Sequence, residues 1–331
     1  MLMRSLEHFR FSLKRESAPS VCFGAASGAK KLCSLAGTAL AATLFVLAGA
    51  APAAAACDAF TGVIEAFNAG DEQKAQSFAE AAGTANCSAD ERTLVGRVAA
   101  LTTFNRIATA VGNGGRLADH QADLEMLQKK FGGPWQVFDA LGDLARERKD
   151  YEEAAKLYQI ALEDGSNTTL TPDWMAPDEQ YILRLDRLAG EMRLAAPRPV
   201  KLAMRGGCKI SFRGVKIKKK STPVRYVFGT ADFTPEGVEA AKDLAECLRA
   251  VKPAAIKLIG HTDPVGSTYA NYKLSLARAD TLKTYLYDAG YAGTVTTIGK
   301  GEDEPFKPDD ASAYDTDTLN QLNRRVEVDV Q

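Results

Sequence analysis

Apolar positions along this chain follow two periods in turn. From residue 58 to 195 they recur at helical spacing, and "GDEQKAQSFAEAA" and "KDYEEAAKLYQIAL" share a frame in which Ala75 and Ala79 match Ala154 and Tyr158. This stretch is predicted to be helical throughout. Pro and Gly then mark a boundary in the segment 196–222, which carries Lys216, Lys218, Lys219 and Lys220. Ile210, Phe212, Val215 and Ile217 alternate with those lysines, a pattern that predicts a partly buried edge strand whose charges block further pairing. Beyond residue 223 short strand-like runs alternate with helical ones. "RYVFGT" is predicted as a strand. Thr234 caps and Pro235 opens a helix that keeps Val238, Ala241, Leu244, Ala245 and Leu248 in period. "AIKLIGHT" is predicted as a buried strand, followed by a helix that stops near Gly290, then strands at "TVTTIGKGE" and "RRVEVDV". The order predicts one sheet with helices on one side, after an all-helical region. An acidic, Pro-containing loop from Asp303 to about Gln321 is predicted to lie on the surface.

One residue breaks the pattern. With Asn271 set at zero on the helix that stops near Gly290, Leu274, Ser275, Leu282, Tyr285 and Leu286 fall within roughly 60° of it, as an inward stripe. Arg278 falls about 20° away, inside that stripe. A guanidinium keeps its proton in a protein, so it needs a partner there. Asp263 stands at the end of the preceding strand, where ligands bind in open α/β sheets. An aspartate and an arginine close together can hold a zwitterionic amino-acid centre, the carboxylate taking the ammonium and the guanidinium taking the carboxylate. The same pair can also serve only to tie the turn to the helix, and residue chemistry alone leaves both readings open.

Composition removes other classes. The 331 residues are 46% hydrophobic and 25% charged with net charge -1, so no bulk field favours nucleic acid. The first 56 residues differ from the rest. Arg4, Arg10, Lys14, Arg15, Lys30 and Lys31 precede the uncharged stretch Leu32 to Ala56, which ends in "GAAPAAAAC". This predicts a signal peptide over 1–56, cut between Ala56 and Cys57; an uncleaved anchor is the other reading. Cys57 would then stand first, where lipidation is an alternative to disulfide bonding. Export leaves Cys57, Cys87, Cys208 and Cys247, and pairing Cys57–Cys87 and Cys208–Cys247 keeps each bridge within one region. No CxxC spacing suggests zinc or redox chemistry, and His261 has only His120 for company in the mature chain, so it is read as a structural hydrogen-bonding residue. GxSxG, HExxH, P-loop and strand-following GxGxxG motifs are missing, so neither catalysis nor a cofactor is expected.

The pieces "VFGTADFTPEG", "IGHTDPVGS", "NYKLSLARA", "GKGEDEP" and "NRRVEV" occur in the order and near the spacing of the OmpA-like peptidoglycan-binding domain, which residues 223–331 resemble. The resemblance implies a non-catalytic βαβαββ sandwich that holds peptidoglycan through the diaminopimelate of the stem peptide. Carried over position by position, it implies a ligand site of Asp263, Arg278, Asn271 and Thr230, with Arg324 at the rim. Two departures concern the pocket walls: Gly229 replaces the family's usual Asp, and "DTLNQL" before Asn323 lacks a Gly-Arg pair. Phe138, Leu141, Gly142, Ala154, Tyr158 and Ala161 resemble one tetratricopeptide unit, with Phe138 and Ala145 replacing the usual Trp and Tyr. The expectation is therefore an α+β chain: signal peptide 1–56, helical-hairpin domain 57–195, basic linker 196–222 and wall-binding domain 223–331. It implies an exported envelope protein of the periplasm, associated with the outer membrane, that binds peptidoglycan and offers its helical part to a second envelope protein. A membrane-anchored stator component of a motor or transporter is the alternative.

Overall fold

A computed structural model of the chain describes residues 57–201 and 208–331. Cys57–Gln331 forms one compact unit. The expected signal segment lies outside the described residues. Among the described residues, no helix is long and apolar enough to cross a membrane.

The first half is helical, as its periodicity requires: α1 (Asp58–Ala69), α2 (Glu72–Ala81), α3 (Ala89–Gly112), α4 (Gln121–Phe131), α5 (Trp135–Glu147), α6 (Tyr151–Ser166) and α7 (Glu179–Ala195). Several starts are fixed by side-chain caps. Asp71, Asp150 and Asp178 each accept a backbone N–H of the first turn, and Ser88 forms a reciprocal box with Glu91. The helices pack as antiparallel hairpins, and two of these share a device. A Cβ at Gly142 would lie 2.8 Å from the Tyr158 ring, and one at Gly62 would overlap the Phe78 ring. A glycine on the first helix thus admits an aromatic ring from the second, at the same spacing in α1–α2 and α5–α6. Cys57–Cys87 bonds the start of α1 to the segment before α3, and Cys208–Cys247 bonds the segment before the first strand to a helix of the second half.

The second half is built on a sheet. A short hairpin, β1 (Ser211–Phe212) with β2 (Val215–Lys216), precedes a four-stranded sheet of β3 (Lys219–Thr222), β4 (Ala255–Gly260), β5 (Thr294–Gly299) and β6 (Val326–Val330). Its order is β3-β6-β4-β5, with β4 and β5 parallel and the other pairings antiparallel. The parallel pair needs a crossover, which α9 (Thr268–Asp288) supplies. α8 (Pro235–Val251) and α9 cover one face of the sheet, where Leu244, Leu248, Ile256, Leu258, Leu282, Leu286, Val295, Val326 and Val328 make the core. Along β4 and β6 the alternate positions point to the other face, which carries Lys257, Ile259, Glu327 and Asp329.

Two expectations need correction. "RYVFGT" is not a strand of the sheet: only Tyr226 makes an isolated bridge, to Phe233. The chain turns here, with Gly229 at φ 73° and the Thr230 N–H donating to the Val227 carbonyl. The edge position belongs instead to β3, inside the expected linker, so the sheet begins earlier than residue 223. The acidic loop also holds a helix, α10 (Thr316–Asn323), capped by Asp315, and it does not simply face solvent. Asp309 pairs with Arg187 at 2.7 Å and Arg146 at 3.3 Å, while Glu191 of α7 accepts from the Tyr314 hydroxyl at 2.6 Å and the Asp309 N–H at 3.0 Å. Gln321 donates to the Leu194 carbonyl at 2.6 Å. This loop fastens the sheet domain to the helical one.

Candidate functional site

Close approach of a helix to the ends of two strands creates the site. A Cβ at Gly260, the last residue of β4, would overlap the Ser275 carbonyl, and one at Gly299, the last of β5, would lie 2.7 Å from the Tyr272 carbonyl. With no side chain at either position, α9 seats on the strand ends. Its inward stripe contains Asn271, Ser275 and Arg278, all buried beside Ala279, Leu282 and Leu286. Asp263 lies three residues beyond β4 and is 6% exposed. Its Oδ1 accepts the Val265 N–H at 3.1 Å, which fixes the carboxylate in the turn before α9.

The partner of Asp263 is not the one that sequence reasoning paired with it. Asp263 Oδ2 takes Arg324 Nη1 at 2.6 Å. Arg278, 3% exposed, donates through Nε to the Thr230 carbonyl at 3.0 Å and through Nη2 to the Val227 carbonyl at 3.5 Å. The Tyr226 ring lies 5.1 Å from its guanidinium carbon, and the Tyr226 hydroxyl donates to the Arg278 carbonyl at 2.9 Å. The arginine thus rests on neutral carbonyls and a ring face. Burial presses its pKa down; Tyr226 and Asp263 favour the charged form and Arg324 opposes it. Thr230 contributes its carbonyl to this arrangement, while its hydroxyl accepts the Asp232 N–H at 3.2 Å. Asn271 donates to the Asp263 carbonyl at 3.4 Å.

All five expected residues therefore converge, with a different internal pairing. Two others join them. Tyr226 supports Arg278 from below. Glu302, after β5, has its carboxylate held below the ordinary range by the side chains of Thr268 and Asn271. The motifs "RYVFGT" and "GKGEDEP" contain both, but nothing in their spacing says which side chains turn inward. His261 is buried, its Nε2 3.5 Å from Glu327 Oε2. Among the described residues no group of His, Cys, Asp and Glu is arranged to hold a metal.

The OmpA family matches residues 225–316, and the chain carries an OmpA family domain there. Outer membrane porin F of Pseudomonas fluorescens is 33% identical over 109 residues, covering 33% of this chain and 32% of that protein. Peptidoglycan-binding protein ArfA of Mycobacterium bovis is 31% identical over 107 residues, covering 32% of this chain and 31% of that one. Among solved structures, the cell wall anchor of the T6SS from Pseudomonas aeruginosa is 26% identical, with TM-score 0.29, over 35% of this chain and 83% of that chain. The chain spans about a third to a half of the length of the first curated relatives it matches.

Proposed function

We propose that the C-terminal domain holds peptidoglycan without covalent chemistry, by gripping the free zwitterion of the stem-peptide diaminopimelate. Asp263 takes the ammonium on the lone pairs that Arg324 and Val265 leave free. Arg278 takes the carboxylate, exchanging neutral carbonyl partners for a charged one. Asn271 and the Thr230 carbonyl orient the ligand, and Arg324 at the rim holds Asp263 in place. The observation that carries this reading is the placing of a buried carboxylate beside a buried guanidinium that has no ion-pair partner of its own among the described residues. A relative named as peptidoglycan-binding, 31% identical over 107 residues, supports it. The helical half serves as a scaffold for an envelope partner, held firmly to the wall-binding half by the Asp309, Tyr314 and Gln321 contacts. The protein then works in the cell envelope.

Retention on purified sacculi tests the site. Wild type is expected in the pellet, and Asp263→Ala and Arg278→Ala in the supernatant with unchanged circular dichroism. Equal retention of the three proteins refutes it.

A further inference from the structure

Next to the zwitterion site, and sharing Arg278 and Arg324 with it, lies a cavity of about 230 Å³. Arg225, Arg278 and Arg324 all line it, and Leu194 of the helical half and Gln321 of α10 close one side. None of the three arginines can shed its charge. Arg225 spends Nη1 on the Pro197 carbonyl at 2.6 Å and Nη2 on the Ala196 carbonyl, both neutral. Arg278 likewise faces neutral carbonyls, and the ion pair of Asp263 is with Arg324. Burial presses down the pKa of Arg225 and Arg278 and Arg324 repels both, while Glu236 favours the charge on Arg225 and Tyr226 and Asp263 that on Arg278. Glu236 supplies the one carboxylate of the lining, and it is exposed and engaged by Thr234 and its own backbone N–H at the start of α8. Arg225 Nε, Arg278 Nη1 and the Nε and Nη2 of Arg324 have no acceptor among the described residues. The cavity thus combines excess positive charge, unused donors and room for a small group.

We infer that this cavity is a carboxylate subsite, and that it takes the free α-carboxylate of the γ-linked glutamate next to diaminopimelate in the stem peptide. The assignment rests on the reading of the zwitterion site above. Two arginines are common to both sites, so the second carboxylate must lie within about one residue of the first. In a stem peptide the glutamate joined through its γ-carboxyl provides such a group. Because Arg225 is anchored on Ala196 and Pro197, the helical half helps to form the subsite. The domain then distinguishes a wall whose glutamate is free from one whose glutamate is amidated.

Calorimetric titration of the full chain tests this with three ligands: diaminopimelate, the tripeptide L-Ala–γ-D-Glu–diaminopimelate, and the same tripeptide with the glutamate α-carboxylate amidated. The acid tripeptide is expected to bind wild type about tenfold more tightly than the amide, the worth of a charge-assisted contact. Arg225→Gln is expected to erase that difference while leaving diaminopimelate binding unchanged, and Arg225→Lys, which keeps the charge and the anchor, to retain much of it. Equal affinity of wild type for both tripeptides, with diaminopimelate still bound, overturns the subsite and leaves the zwitterion site intact. Absence of binding by all three ligands overturns both.

Discussion

The contact between Glu191 and Tyr314 offers a quantitative test of how the two halves are joined. Glu191 is 1% exposed and accepts two hydrogen bonds from the 303–323 segment, the Tyr314 hydroxyl at 2.6 Å and the Asp309 N–H at 3.0 Å. Burial raises its pKa, so the carboxylate depends on those donors. A hydrogen bond to a charged group contributes about 1.5–3 kcal/mol, and Tyr314→Phe is expected to cost that much. Glu191→Ala removes the acceptor for both donors and leaves them unpaired, at a cost of about 3–5 kcal/mol. In the Glu191→Ala background Tyr314→Phe has little left to lose, so the two changes are expected to couple by about 1.5–3 kcal/mol. Urea unfolding of the four proteins at pH 7, followed by circular dichroism, measures this. Limited proteolysis is expected to cut the singly substituted proteins first within 303–323. A cost for Tyr314→Phe that is the same in both backgrounds, within about 0.5 kcal/mol, would mean that Tyr314 does not act through Glu191.

Further outcomes follow from other contacts. Gly260→Ala drives a methyl group into the Ser275 carbonyl and is expected to destabilise the domain by more than about 3 kcal/mol, read from the urea midpoint. Replacing Cys208 and Cys247 by Ser opens a loop of sequence separation 39 and is expected to cost about 4 kcal/mol by the chain-entropy argument, seen as a lowered melting midpoint. Burial alone would raise the pKa of Glu327, but His261, Arg325 and Lys219 bring it down to about 2 from 4.5. Its folded pKa lies below the unfolded one, so its stabilisation is present above about pH 4.5 and disappears as the pH falls toward about 2. Glu327→Gln is expected to flatten unfolding midpoints measured between pH 6 and pH 3.

Much of this was legible in the sequence. The inward place of Arg278, the nearness of Asp263, the helix starting at Pro235 and both disulfides follow from period, capping and location. What escaped is long-range or low in contrast. "RYVFGT" has strand-forming residues, but Gly229 permits a turn that leaves Val227 and Phe228 exposed and turns Arg225 and Tyr226 toward the helices. "KKST" has almost no apolar signal, because an edge strand buries little, yet Thr222 is buried and pairs with β6. The Asp263–Arg324 pair joins residues far apart in the chain, and no local pattern ranks Arg324 above Arg278 as the aspartate's partner. The docking of Asp309 and Tyr314 on α7 is likewise a tertiary event hidden inside a stretch that reads as polar loop.

In a crystal of the protein soaked with diaminopimelate, the ligand's ammonium is expected within hydrogen-bond distance of the Asp263 carboxylate and its carboxylate on Arg278, with the Thr230 carbonyl released or shifted. Density for the ligand elsewhere, or a guanidinium still bound to Thr230 and Val227 beside a ligand that touches neither charge, contradicts it.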